Sequence, residues 1–143
     1  MTEIEGDRVN AGGAPQVLVV DDERLIRWSL SAKLRDDGYG VTEAADGRGA
    51  VAAVVGGPPP EVVLLDYRLP DVDGFQLLST LVSMLPAGRV VLMTAHGAPE
   101  VQAGALASGA ARVVQKPFVL EEMAVLVSQE LAIGRREPVP GVH

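Results

Sequence analysis

Five short apolar runs rich in β-branched residues recur along the 143-residue chain: QVLVV at 16–20, a weaker YGVTEA around 39–43, EVVLLD ending at 66, RVVLMTA at 89–95 and ARVVQ at 111–115. Segments of helical character separate them. ERLIRWSLSAKLRDDG carries Ile26, Leu30 and Leu34 at four-residue spacing and stops at Gly38. RGAVAAVV runs into GGPPP, whose prolines close the element. DGFQLLSTLVSML, 73–85, sets Leu77, Leu78, Leu81, Val82 and Leu85 on one stripe before Pro86. A fourth helix, about 98–108, contains Gly104 and many alanines and is expected to be intrinsically weak; a fifth runs from Leu120 to Ile133. Continuous apolar strands alternating with helices over short connections predict a doubly wound α/β domain, a parallel sheet covered on both faces.

The chain, 48% hydrophobic, has room for one real core and not for two ordinary domains. Residues 1–14 read as a flexible leader, 15–133 as the domain and 134–143 as a flexible tail. Cysteine is absent, which excludes disulfides, thiolate metal sites and a thiol nucleophile. No apolar run approaches the ~20 residues of a membrane span, and the acidic start is unlike a secretion signal, so a cytoplasmic protein with no membrane partner is the simplest reading. A net charge of -7 with 3% aromatic residues argues against direct nucleic-acid binding. His96 and His143 are too few and too far apart to suggest a histidine metal site. The GxG of DGRG, 46–49, lacks the full dinucleotide fingerprint and reads as a turn.

In such a sheet, ligands gather outside the carboxyl ends of the strands. Asp21 and Asp22 follow the first strand, Asp66 the third, Thr94 ends the fourth and Lys116 follows the fifth. Each alone has an ordinary explanation as a cap, turn or surface charge. Their shared placement is less ordinary. With the first and third strands adjacent, as in the flavodoxin-like order, three carboxylates converge and repel one another. A hard divalent cation relieves that repulsion, and oxygen donors without Cys or His favour Mg²⁺. A carboxylate beside Mg²⁺ is a competent nucleophile toward phosphorus, with Lys116 and Thr94 supplying a cation and a hydroxyl for the transferred oxygens.

The segments VLVVDDE, VVLLDYRLPDVDG, VLMTAHG and VVQKPF resemble the receiver domain of two-component response regulators over residues 16–133. The resemblance implies a flavodoxin-like (βα)5 fold with strand order 2-1-3-4-5. It makes Asp66 the phosphoacceptor of a sensor histidine kinase in a Mg²⁺-dependent reaction that switches conformation to control an output. Such a domain is not an enzyme on external substrates; it catalyses only its own phosphorylation and dephosphorylation. The resemblance implies further that Asp21, Asp22 and Asp66 hold the metal with the backbone carbonyl of Arg68, Asp22 being the more direct ligand of the acidic pair. Thr94 takes the place of the switch hydroxyl, Lys116 that of its salt-bridge partner, and Pro117 that of a proline after a cis bond. Arg68 and His96 occupy places that border the phosphoryl group. LIRWSL and MTAHG are similar to receivers of the nitrogen-regulation type. Val113 departs from the pattern, standing where many receivers carry the aromatic ring that swings inward on switching.

Trp28 reads as partial core or a helix-face contact ahead of a partner surface. In the last helix, Met123, Val125, Leu126 and Val127 cannot all face one sheet, and the surplus suits a homodimer through the fourth and fifth helix face. Two other readings stay open: a Mg²⁺-dependent phosphatase, for whose pocket or cap the short connections leave little chain, and a phosphorylation-independent scaffold, which Val113 favours.

Overall fold

A computed structural model describes residues 13–95 and 97–136; most of the expected leader and tail, and His96, lie outside the described residues. Among the described residues ten elements alternate: β1 (Gln16–Val20), α1 (Arg24–Asp36), β2 (Gly40–Ala44), α2 (Gly47–Gly56), β3 (Val62–Asp66), α3 (Gly74–Met84), β4 (Arg89–Thr94), α4 (Pro99–Ala107), β5 (Arg112–Gln115) and α5 (Leu120–Arg136). The five strands form one parallel sheet in the order β2-β1-β3-β4-β5, as expected. The last helix extends three residues beyond Ile133.

Strand position explains strand composition. The central strands β1, β3 and β4 are buried almost throughout, which is why they read as unbroken apolar runs. The edge strands β2 and β5 are partly exposed and correspondingly mixed in sequence. Alternation within each strand divides the core in two. Leu18, Val20, Val63, Leu65, Val90 and Leu92 face α2, α3 and α4, while Val17, Val19, Val62, Leu64, Val91 and Met93 face α1 and α5. Leu30 and Leu34 of the α1 stripe and Leu77, Leu78 and Leu81 of the α3 stripe are buried as their spacing requires.

Local chemistry sets the helix ends. Gly38 and Gly109 take positive φ values of 96° and 105° just after α1 and α4, the left-handed conformation that closes a helix and that glycine adopts without a Cβ clash. Asp46 caps α2 by accepting from the Gly49 amide, so DGRG starts a helix as well as turning the chain. Asp73 caps α3 through the Phe75 and Gln76 amides. At the end of the sheet away from the acidic residues, buried Glu130 of α5 accepts from Arg89 Nε at 2.5 Å and Arg112 Nε at 2.8 Å, tying α5 to β4 and β5.

Two surface details refine the sequence reading. Trp28 is 64% exposed and is not part of the core: α1 turns its 26-30-34 stripe inward and carries residue 28 to the opposite side. In α5, Met123 and Val127 are buried whereas Val125 is 55% exposed, the division the helical period demands.

Candidate functional site

β1 and β3 lie side by side with Val20 opposite Leu65, so Asp21 and Asp66 emerge together from the carboxyl edge of the sheet. Asp22 follows directly on the β1 side. Ligand-capable carboxylate oxygens of Asp21, Asp22 and Asp66 all lie within 4.8 Å of one another. Asp21 is fully buried, Asp66 is 5% exposed and Asp22 is open to solvent. Asp21 does not cap α1; its Oδ1 accepts from the Glu23 amide at 2.8 Å.

Lys116 supplies the facing cation. Its Nζ stands 2.9 Å from Asp21 Oδ2, 3.0 Å from Glu23 Oε1 and 3.5 Å from Asp66 Oδ1. The residue leaves β5 with its amide bonded to the Thr94 carbonyl at 2.8 Å, just before the cis bond to Pro117. Thr94 is 1% exposed at the end of β4, one residue past the Asp66–Met93 pair, and thus adjoins Asp66 in the sheet. The Arg68 amide bonds Asp66 Oδ1 at 3.3 Å, which brings the start of the β3–α3 loop against the same carboxylate.

The electrostatics follow from this crowding. Burial pushes the Asp66 carboxyl up to about 6; Asp21, and to a smaller degree Asp22, push the same way, against the Lys116 ammonium and the Arg68 amide. Burial disfavours the charge on Lys116, but hydrogen bonds to Asp21 and Glu23, together with the negative charges of Asp21 and Asp66, outweigh it and raise its pKa.

The donor set suits a hard divalent cation. Octahedral Mg²⁺ with bonds of roughly 2.1 Å spaces its ligand oxygens about 3 to 4.2 Å apart. A three-carboxylate set spanning at most 4.8 Å needs only a small closure to meet those separations. The solvent-facing side at Asp22 leaves room for the waters that Mg²⁺ retains.

Three flanking residues were absent from the sequence reading. Glu23 shares Lys116 with Asp21 and Asp66. Arg27 bonds the Asp21 carbonyl at 2.7 Å and pairs with Glu43 of β2 at 3.3 Å, clamping the β1–α1 loop. Asp71 accepts from the Gly47 and Arg48 amides at 2.8 and 3.0 Å, so the loop after Asp66 is tied to the start of α2. The only sequence hint was proximity to VLVVDDE and to the acidic LPDVDG turn. Val113 lies opposite Leu92 and packs into the α2–α4 side of the core. Beside the site, Glu23, Ile26, Ala95, Lys116, Pro117 and Phe118 line an open pocket of about 390 Å³.

Comparison with known proteins places this geometry among relatives. A family model described as the response regulator receiver domain matches residues 17–128. The chain is 41% identical over 116 residues to the probable transcriptional regulatory protein TcrX of Mycobacterium tuberculosis, covering 80% of this chain and 49% of that protein. It is 33% identical over 124 residues to the DNA-binding transcriptional regulator NtrC of Salmonella typhimurium, covering 87% of this chain and 26% of that protein. The chain thus spans from about half to a quarter of the length of these relatives. Among solved structures, a CheY-like receiver domain protein of Methanospirillum hungatei superposes with a TM-score of 0.83 at 25% identity, covering 87% of this chain and 99% of that one.

Proposed function

Because the chain belongs to the response regulator receiver domain family, a two-component signalling domain and not a classical enzyme, we propose that Asp66 is its phosphoacceptor. Receivers of this family partner with histidine kinases and normally use Mg²⁺. An Asp66 carboxylate oxygen attacks the phosphorus of a phosphohistidine; the P–N bond breaks as the P–O bond forms, and the imidazole leaves with the electron pair. Bound Mg²⁺ would neutralise charge on the transferred oxygens and on the carboxylates of Asp21, Asp22 and Asp66, with the Arg68 carbonyl as a fourth protein ligand. Lys116 then pairs with a phosphoryl oxygen, and the Thr94 hydroxyl donates to another.

The observation that carries this reading is the juxtaposition of a nearly buried Asp66 with Lys116 at 3.5 Å and two further carboxylates. A kinase approaches across exposed Leu25 and Trp28 of α1 and Val119 just before α5. Exposed Leu106 of α4 and Val125 of α5 suit a homodimer on that face. Water hydrolyses the aspartyl phosphate in the same site and resets it. Control of transcription is the output proposed by kinship with TcrX and NtrC. We place the protein in the cytoplasm; among the described residues no helix is long and apolar enough to cross a membrane.

The test is intact mass after incubation with acetyl phosphate and Mg²⁺. One added phosphoryl group on the wild type and none on Asp66→Asn is the expected result. An unmodified wild type, or a modified Asp66→Asn, sinks the assignment.

A further inference from the structure

An ammonium has three N–H donors, and those of Lys116 face three carboxylates: Asp21 at 2.9 Å, Glu23 at 3.0 Å and Asp66 at 3.5 Å. The three acceptors are not equivalent. Asp21 is fully buried and would be left as a stranded charge if the lysine moved away. Asp66 is the group that carries the phosphoryl in the reading above, on which this inference rests. Glu23 has neither constraint, because its side chain is 59% exposed and returns to water at little cost. Among the described residues its carboxylate has no other partner. It holds the N-cap position of α1 without a side-chain cap bond, its carboxylate being drawn across the pocket to the lysine.

We propose that Glu23 is a positioning residue that competes with the incoming phosphoryl group for Lys116. In the unmodified protein it draws the ammonium toward the pocket mouth. A phosphoryl oxygen on Asp66 must displace it, and the Glu23–Lys116 bond therefore lowers the affinity of the site for a phosphoryl-like anion. An exposed ion pair is weak, so the penalty is about two- to five-fold in affinity.

The experiment is calorimetric titration of beryllofluoride, a phosphoryl mimic, at saturating Mg²⁺ into the wild type, Glu23→Gln and Glu23→Asp. Mg²⁺ affinity without fluoride and the melting temperature are measured in parallel. Glu23→Gln removes the charge, whereas Glu23→Asp keeps it on a side chain one methylene shorter, out of reach of Nζ. Both variants are expected to bind beryllofluoride about two- to five-fold more tightly, with smaller changes in Mg²⁺ affinity and melting temperature, which a merely structural role would not produce. Unchanged or weaker binding in both overturns the proposal. So does tightening in Glu23→Gln alone, which would assign the effect to general charge repulsion. If the wild type itself fails to bind beryllofluoride, the phosphoacceptor reading falls, and this inference with it.

Discussion

Lys116 and Asp66 belong to strand ends that are not neighbours, yet Nζ lies 3.5 Å from Oδ1, the lysine reaching across the end of β4 from β5 to β3. The side chain can do so because its amide is fastened to the Thr94 carbonyl directly beneath. It also answers the fully buried charge of Asp21 at 2.9 Å.

Removing that ammonium leaves buried carboxylates facing one another. Lys116→Ala is expected to cost about 3 kcal/mol of folding stability without divalent cation, read from urea unfolding at pH 7. A loss below about 1 kcal/mol would mean that the three carboxylates are separated or hydrated in solution.

The raised pKa of Asp66 has a defined sign. With its carboxyl at about 6 when folded and 3.8 as the ordinary value, the folded protein binds more protons between those limits than the unfolded chain does. Metal-free stability should therefore fall as pH rises through about 4 to 6. Asp66→Asn should flatten that slope and melt a few degrees higher than the wild type above pH 6. Thermal melts in a chelator across this range check it, and a wild type that gains stability over the same interval contradicts it.

Asp71 should matter for the metal without touching it. Hydrogen bonds from the Gly47 and Arg48 amides hold its carboxyl below the ordinary aspartate range, and they anchor the loop that presents Arg68. Asp71→Ala is expected to speed amide exchange at Gly47 and Arg48 and to weaken Mg²⁺ binding several-fold. Nuclear magnetic resonance gives both readouts. Faster exchange with unaltered Mg²⁺ affinity would confine the residue to capping α2.

Gly104 is the point where α4 rests on an aromatic ring. A Cβ there would lie 2.7 Å from the Phe75 ring, whose other neighbour is Tyr67 with ring centroids 5.1 Å apart. In an exposed helix Gly→Ala stabilises by about 1 kcal/mol. Here Gly104→Ala should destabilise, and in a Phe75→Leu background it should recover a stabilising sign. A double-mutant cycle by chemical denaturation measures the coupling; an additive cycle would show that α4 does not rest on the ring.

Much of this molecule is legible from local pattern. The alternation of strand and helix, the stripes of α1 and α3, and the polar residue at the end of four of the five strands depend on side-chain period and on where an apolar run stops, and these are properties of neighbouring residues. Trp28 shows a limit of reading hydrophobicity without geometry. At about 100° per residue it sits roughly 200° from Ile26, so its bulk suggested core while its angle pointed outward. Glu23, Arg27 and Asp71 were not legible, because their roles lie in partners met only after folding. The Glu23–Lys116 contact spans 93 positions and the Asp71–Gly47 contact 24.

The sequence by itself determined that carboxylates, a hydroxyl and a lysine would stand at strand ends, since each apolar run stops where burial stops. Which of them meet was decided by tertiary structure alone. Setting β1 against β3 and β4 between β3 and β5 brings Asp21, Asp66 and Lys116 within a few ångströms, and charges interact by distance in space, not by position along the chain.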